Sequence, residues 1–146
     1  MDTRNVNEMT VDYKPSKVSK FTVNSSKVVN DNVRDIFPVG IEHREAFVTL
    51  FLNRANKVIH FGVISIGGVS GTTVDPKIIF QKALLCNASG IVLVHNHPSG
   101  SLKPSESDIA VTKKIQKCAN LLDIVLVDHL IITKDSYTSF VDENLI

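Results

Sequence analysis

Residues Ile91-Val92-Leu93-Val94 form an unbroken aliphatic run that leads directly into His95-Asn96-His97-Pro98. A short apolar run without polar alternation is the pattern of a strand covered on both faces, and such a strand needs helices above and below its sheet. This one segment restricts the chain to a layered α/β arrangement. The flanking segments supply the layers. Upstream, Asp75 is a good N-cap and Pro76 suits the first helical position, while Ile78, Ile79, Ala83, Leu84 and Ala88 recur at helical spacing up to a stop at Gly90, predicting a helix over 76–88. Downstream, Ser105 caps a helix carrying Ile109, Thr112, Ile115, Gln116 and Ala119. A second apolar run, Ile124 to Val127, follows, and then Leu130, Ile131 and Ile132 across Asp128-His129.

The aromatic and β-branched stretch 45–52, the break Asn53-Arg54-Ala55-Asn56 and the stretch 57–64 read as a β-hairpin of two central strands. A hairpin within an alternating strand-helix pattern makes the sheet mixed. The predicted fold class is therefore α/β, a three-layer domain with a mixed β-sheet and flanking helices. Ser25 and Ser26 offer an N-cap to a short first helix through Val28, Val29, Val33 and Ile36, ended by Pro38. Residues 67–71, Gly-Gly-Val-Ser-Gly, have turn chemistry and predict a loop, and Tyr137 to Val141 a last edge strand. The first two dozen residues, with Lys14, Lys17 and Lys20, are polar, mildly basic and aperiodic, a tail or a peripheral strand. No internal repeat or linker divides the 146 residues, so the expected organisation is an N-terminal tail and short helix over 1–38 and one domain over 39–146.

Composition removes several classes of function. With 16 Lys and Arg against 15 Asp and Glu, the net charge of +1 exerts no general pull on nucleic acid or anionic lipid. Lys113, Lys114 and Lys117 read as the solvated face of one helix. No apolar run approaches the roughly 20 residues of a membrane helix, and Met1-Asp2-Thr3-Arg4 does not open like a signal peptide, so the expectation is a cytoplasmic chain without membrane contact. Cys86 and Cys118 are too few and too far apart for a disulfide framework or a CxxC knuckle and read as buried free thiols in helices. The sequence leaves the oligomeric state open, a homo-oligomer included.

The loop after residue 94 carries the chemistry. Side chains two apart on a strand share a face, so His95 and His97 can converge on one point while Asn96 turns away. Pro98 and Gly100 bend the backbone, and Pro104 delivers it to a helix whose first turn carries Asp108. Two histidines and one carboxylate with an open fourth position is the ligand count of a catalytic zinc site, whereas structural zinc is usually closed by four protein ligands. His43, His60 and His129 stand alone and read as ordinary hydrogen-bonded histidines. Asp108 also fits a capping-box pattern with Ser105, in which the acid at the third helical position reaches back to the cap. Ser105 is equally double, an N-cap whose hydroxyl could instead face the open metal position.

His95-x-His97-Pro98, six residues, Ser105, two residues and Asp108 match the JAMM signature of JAB/MPN-type metalloproteases. With Asp75-Pro76 and helix 76–88 before it, and Leu121-Leu122-Asp123-Ile124 and Asp128-His129-Leu130-Ile131 after it, the text from about residue 40 to 146 resembles the RadC-like JAB domain of bacteria. The resemblance implies a JAB/MPN fold, similar to the cytidine-deaminase architecture, with one zinc ion per chain. It implies His95, His97 and Asp108 as ligands, Ser105 as donor to the water or the oxyanion, and a glutamate at the start of an upstream strand as general base and acid. Glu45 falls at that place, with Glu42 as the alternative. The implied reaction is hydrolysis of an amide or isopeptide bond in a protein or peptide substrate. Longer members carry an N-terminal region resembling a helix-hairpin-helix that the first 40 or so residues here do not match, so DNA contacts credited to that region do not carry over.

Two other readings stay in view. A JAB module could bind a partner, protein or DNA, and keep zinc for structure, an alternative associated with the DNA-repair setting in which RadC-like proteins have historically been placed. The letters HNH also invite comparison with HNH nucleases, but those spread the three residues over a longer ββα unit, whereas here they are consecutive.

Overall fold

The strand through Ile91–Val94 occupies the middle of the sheet. The computed structural model describes residues 6–15, 18–68 and 71–146. In it β1 (Ala46–Leu52), β2 (Val58–Ile66), β3 (Gly90–Asn96), β4 (Val125–Ile132) and β5 (Tyr137–Ser139) form one sheet in the order β2-β1-β3-β4-β5. β3 runs antiparallel to β1 and parallel to β4, and the other pairs are antiparallel, so the sheet is mixed as expected. Three helices flank it: α1 (Ser26–Val33), continued by a 3-10 turn over Arg34–Ile36, α2 (Pro76–Leu85) and α3 (Glu106–Leu121). The expectations for Met1 to Arg4, for Lys17 and for the loop residues Val69 and Ser70 lie outside the described residues.

Every residue of β3 is buried, and its alternation builds two cores. Ile91 and Leu93 join Phe47 and Phe51 against Ile79 and Ala83 of α2 and Ile115 and Ala119 of α3. Val92 and Val94 join Val48, Leu50, Leu130 and Ile132 beneath Val29 and Val33 of α1. Each such side chain contributes roughly 1.5–3 kcal/mol when fully buried, which is why the helices hold to both faces and the domain has three layers. Phe21 and Val23 complete the α1 side, where the peptide of Thr22 bridges to Lys57 in the hairpin turn. Among the described residues no helix is long and apolar enough to cross a membrane.

Three local readings change, and the run across Asp128-His129 gains its strand assignment. The hairpin does not supply two central strands: β1 is central and wholly buried, but β2 is an edge strand that leaves Val63 and Ile66 partly exposed. Two register shifts in its pairing with β1 disturb its alternation, and Gly62 is bare because Phe51 and the Lys82 side chain approach to 3.1 and 3.2 Å of where a Cβ would sit. Helix α2 stops at Leu85 rather than Ala88. Asn87 makes the left-handed turn at φ 54°, and Gly90 instead opens β3, where a Cβ would press on Val127 at 3.2 Å. The apolar runs on either side of Asp128-His129 are one strand, β4, with a bulge at Val127. The cysteines are half-buried rather than buried, and Cys86 sits at the C-cap of α2 instead of inside it. Burial raises the Cys86 thiol pKa.

Thr49 lies between Phe47 and Phe51 on β1, fully buried, and its hydroxyl has no hydrogen-bond partner among the described residues. An unpaired buried hydroxyl costs about 1–3 kcal/mol. Thr49→Val, which removes it while keeping the shape, is expected to raise stability by about 1 kcal/mol, read as a higher denaturant midpoint at unchanged slope.

Candidate metal centre

The alternation that sends Ile91 and Leu93 toward α3 also sends His95 there, buried, and His97 follows from just past the strand end. Their Nε2 atoms lie 3.0 Å apart. The Nδ1 of His97 lies 2.8 Å from the carbonyl oxygen of Ser101, which can only accept, so Nδ1 carries the proton and Nε2 of the neutral ring presents a lone pair. Phe47, opposite His95 in the β1–β3 register, stacks on its ring with centroids 5.7 Å apart and planes within 12°.

Helix α3 begins beside the two rings. Ser105 Oγ accepts from the Asp108 amide at 3.0 Å, and Asp108 Oδ2 accepts from the Ser105 amide at 2.7 Å, a complete capping box. The same carboxylate places Oδ1 3.2 Å from His95 Nε2 and Oδ2 3.3 Å from His97 Nε2. Capping acid and candidate ligand are thus one side chain, because the cap orients the carboxylate at the imidazoles. Burial alone would raise the pKa of Asp108, but its contacts with the His95 and His97 rings and the bond from the Ser105 amide outweigh it and hold the carboxylate well below its usual range. In the protonated ring a hydrogen bond from Nε2 to Asp108 raises the pKa of His97 against the opposing effect of burial, with help from the Ser101 carbonyl and the charges of Asp108 and Glu45. Ser105 is exposed, and its capping bond uses a lone pair of Oγ while leaving the hydroxyl proton for another acceptor.

Glu45 directly precedes β1, and its carboxylate meets the histidines: Glu45, His95 and His97 offer ligand atoms that all lie within 4.8 Å of one another. Gly71, at φ 138°, stands over this carboxylate, and a Cβ there would sit 3.6 Å from Oε2. Glu42 is exposed and paired with Lys134 at 3.5 Å, away from the cluster. His60 stands against Tyr13 on the β2 side, and His129 lies behind His95.

Sequence reasoning missed Asn96. It turns away from the histidines, as alternation requires, and is fully buried on the opposite face. There its amide donates to the carbonyls of Ile41 and Arg44, both at 2.7 Å, while its Oδ1 accepts from the Ala46 amide at 2.8 Å. These bonds straddle Glu45 and hold the segment that carries it. The signal was a polar residue at an inward position of a buried strand, and its partners are about 50 residues away in sequence. Asn96→Asp sets a carboxylate oxygen against two carbonyls. The expectation is a loss of about 1–3 kcal/mol in stability, read from the denaturation midpoint. An unchanged denaturation midpoint would mean that other contacts hold the segment.

Two imidazole nitrogens and two carboxylates gathered at one end of a sheet, with lone pairs and negative charge facing inward, are a donor set suited to zinc or a similar divalent cation. Beside it opens a cleft of about 360 Å³ lined by Glu45, Phe47, Thr72, His95, Asp108 and Lys114. Its lining mixes polar side chains with the apolar Phe47, Val74 and Val111.

Comparison with known proteins agrees with this geometry. The RadC-like JAB domain matches residues 18–145. A UPF0758 protein of Flavobacterium johnsoniae is 48% identical over 107 residues, which is 73% of this chain and 47% of its own length. A UPF0758 protein of Porphyromonas gingivalis is 48% identical over 104 residues, 70% of this chain and 46% of its own. A third, from Pasteurella multocida, is 40% identical over 119 residues, 80% and 53% respectively. The chain spans about half the length of the curated relatives it matches. A mixed five-stranded sheet with helices on both faces is compatible with the JAB/MPN α/β fold. On the extent of the match and on this architecture, the chain belongs to the RadC-like JAB domain family.

Proposed function

We propose that this domain is a zinc-dependent metallopeptidase or isopeptidase that hydrolyses an amide bond in a protein or peptide. The observation that carries the reading is the second carboxylate. Asp108 already bridges both imidazoles, yet Glu45 brings another acid within 4.8 Å of the histidine ligand atoms. A purely structural centre has no need of it; hydrolysis requires a group that takes and returns a proton.

His95, His97 and Asp108 would hold the ion. Zinc, when bound, supplies Lewis acidity toward a carbonyl oxygen and acidifies water near neutral pH. Glu45 would take the proton from the attacking water and pass it to the departing amine. The Ser105 hydroxyl, whose proton the capping bond leaves uncommitted, would donate to the developing oxyanion; loss of such a donor typically costs about 10²-fold or more in rate. Asn96 and the Gly67 amide, which donates to the Glu45 carbonyl at 2.8 Å, would keep the base in place. Phe47 and Val74 would exclude solvent from one side of the cleft.

Unbiased peptide-library cleavage by the zinc-loaded protein tests this reading. The expected result is a set of cuts that disappears on chelation and returns with zinc. Stoichiometric zinc with no cut in any peptide, together with retention of peptides on the protein, would favour a non-catalytic interaction module.

A further inference from the structure

Behind the candidate ligands lies a buried chain of donors and acceptors that runs in one direction only. His95 Nδ1 is 2.8 Å from His129 Nε2, His129 Nδ1 is 2.7 Å from Thr112 Oγ1, and Thr112 Oγ1 is 2.6 Å from the carbonyl oxygen of Asp108. A carbonyl can only accept, so the single proton of the Thr112 hydroxyl is committed to Asp108. The hydroxyl must therefore accept from His129, which places the His129 proton on Nδ1 and leaves a lone pair on Nε2. That lone pair in turn requires the His95 proton on Nδ1. His129 is fully buried between the rings of Phe47 and Phe140, the latter stacked at 4.5 Å, and among the described residues no carboxylate forms an ion pair with it. A doubly protonated ring is costly in such surroundings, so the chain does not run in reverse.

We infer that His129 and Thr112 are positioning residues that lock His95 into the tautomer with its lone pair on Nε2, the atom facing His97 and Asp108. The inference rests on the reading of His95 as a metal ligand, but it concerns the protein before any ion arrives. With Nδ1 of each ring committed elsewhere, the two Nε2 atoms face each other at 3.0 Å beside the Asp108 carboxylate, so the point between them favours positive charge, a proton on His97 or a metal ion. The relay prevents His95 from moving its proton to Nε2, and so keeps the pocket a cation acceptor. The arrangement also closes on itself, since the Asp108 backbone anchors one end and its side chain meets the other. The bulge at Val127 makes it possible. Leu126 and His129 are three residues apart, yet both face α3, which strict alternation forbids.

The test is nitrogen-15 NMR of histidine rings in the metal-free protein, with zinc affinity measured by chelator competition. The wild-type chain should show His95 and His129 both protonated at Nδ1 and bare at Nε2. Thr112→Val removes the acceptor of the His129 proton; His95 is expected to shift toward the Nε2-protonated form, and zinc should bind about 10–100-fold more weakly, the usual cost of losing such an outer partner. Thr112→Ser should restore both. A His95 protonated at Nε2 in the wild-type protein overturns the inference whether or not any variant folds. So does a folded Thr112→Val with unchanged tautomer and affinity. The predicted tautomers without zinc binding would leave the relay standing and remove the metal reading, so the two failures are distinguishable.

Discussion

Glu45→Gln is expected to lower amide hydrolysis by about 10²–10⁴-fold while about one zinc per chain remains bound. Glutamine keeps the length and shape of the side chain and one acceptor oxygen but cannot take a proton. The substitution leaves the backbone contacts around position 45 intact, because Asn96 and the Gly67 amide hold main-chain atoms rather than the carboxylate. His95, His97 and Asp108 would still supply three ligands. Steady-state cleavage of a library-selected peptide, beside elemental analysis of the same preparation, separates the outcomes. Activity at the parental level puts the base elsewhere. Loss of the metal makes Glu45 a ligand, an outcome that its distance from the histidines keeps open as a measurable alternative.

Asp108→Ala is expected to strip the metal and to destabilise the fold even in its absence. The carboxylate contacts both Nε2 atoms and also accepts from the Ser105 amide, so its removal deletes a ligand and half of the capping box at once. The Ser105 hydroxyl still caps the helix, so the structural loss is that of one charge-assisted hydrogen bond, about 1.5–3 kcal/mol. Asp108→Asn separates the two effects: its remaining side-chain oxygen can still cap the helix, whereas a neutral amide is a poor zinc ligand. Asparagine should therefore recover most of the stability and little of the zinc. Full zinc occupancy in both variants would falsify the assignment of Asp108 as a ligand and leave Glu45 as the third donor.

The parts of this site that were legible in the sequence are the local ones. An aliphatic run, two histidines one residue apart, and a Ser-x-x-Asp helix start are each governed by chain geometry over a few residues, and β3, the paired rings and the cap of α3 follow that geometry. What escaped depends on partners far away in the chain. Nothing near Asn96 indicates that its amide will hold the carbonyls of Ile41 and Arg44. Alternation through Leu126, Asp128 and Leu130 gives no warning of the bulge that turns His129 toward α3. Nor does the apolar richness of β2 distinguish an edge from a centre, because that depends on which strands the rest of the chain supplies. The same holds at the end of α2, where Gly90 carries the usual signal for a stop but Asn87 takes the left-handed turn first.

Glu45, His95 and Asp108 arrive from three separate stretches, the near end of β1, the far end of β3 and the first turn of α3. Strand pairing across such separations is paid for in loop closure before it returns any contact, so no fragment of the chain should assemble the pocket by itself. On the proposed reading cation capture would be the last event of refolding, and a zinc-sensitive dye in a stopped-flow experiment would report completion of the whole sheet. Added metal should slow the escape from the native state far more than it hastens arrival there.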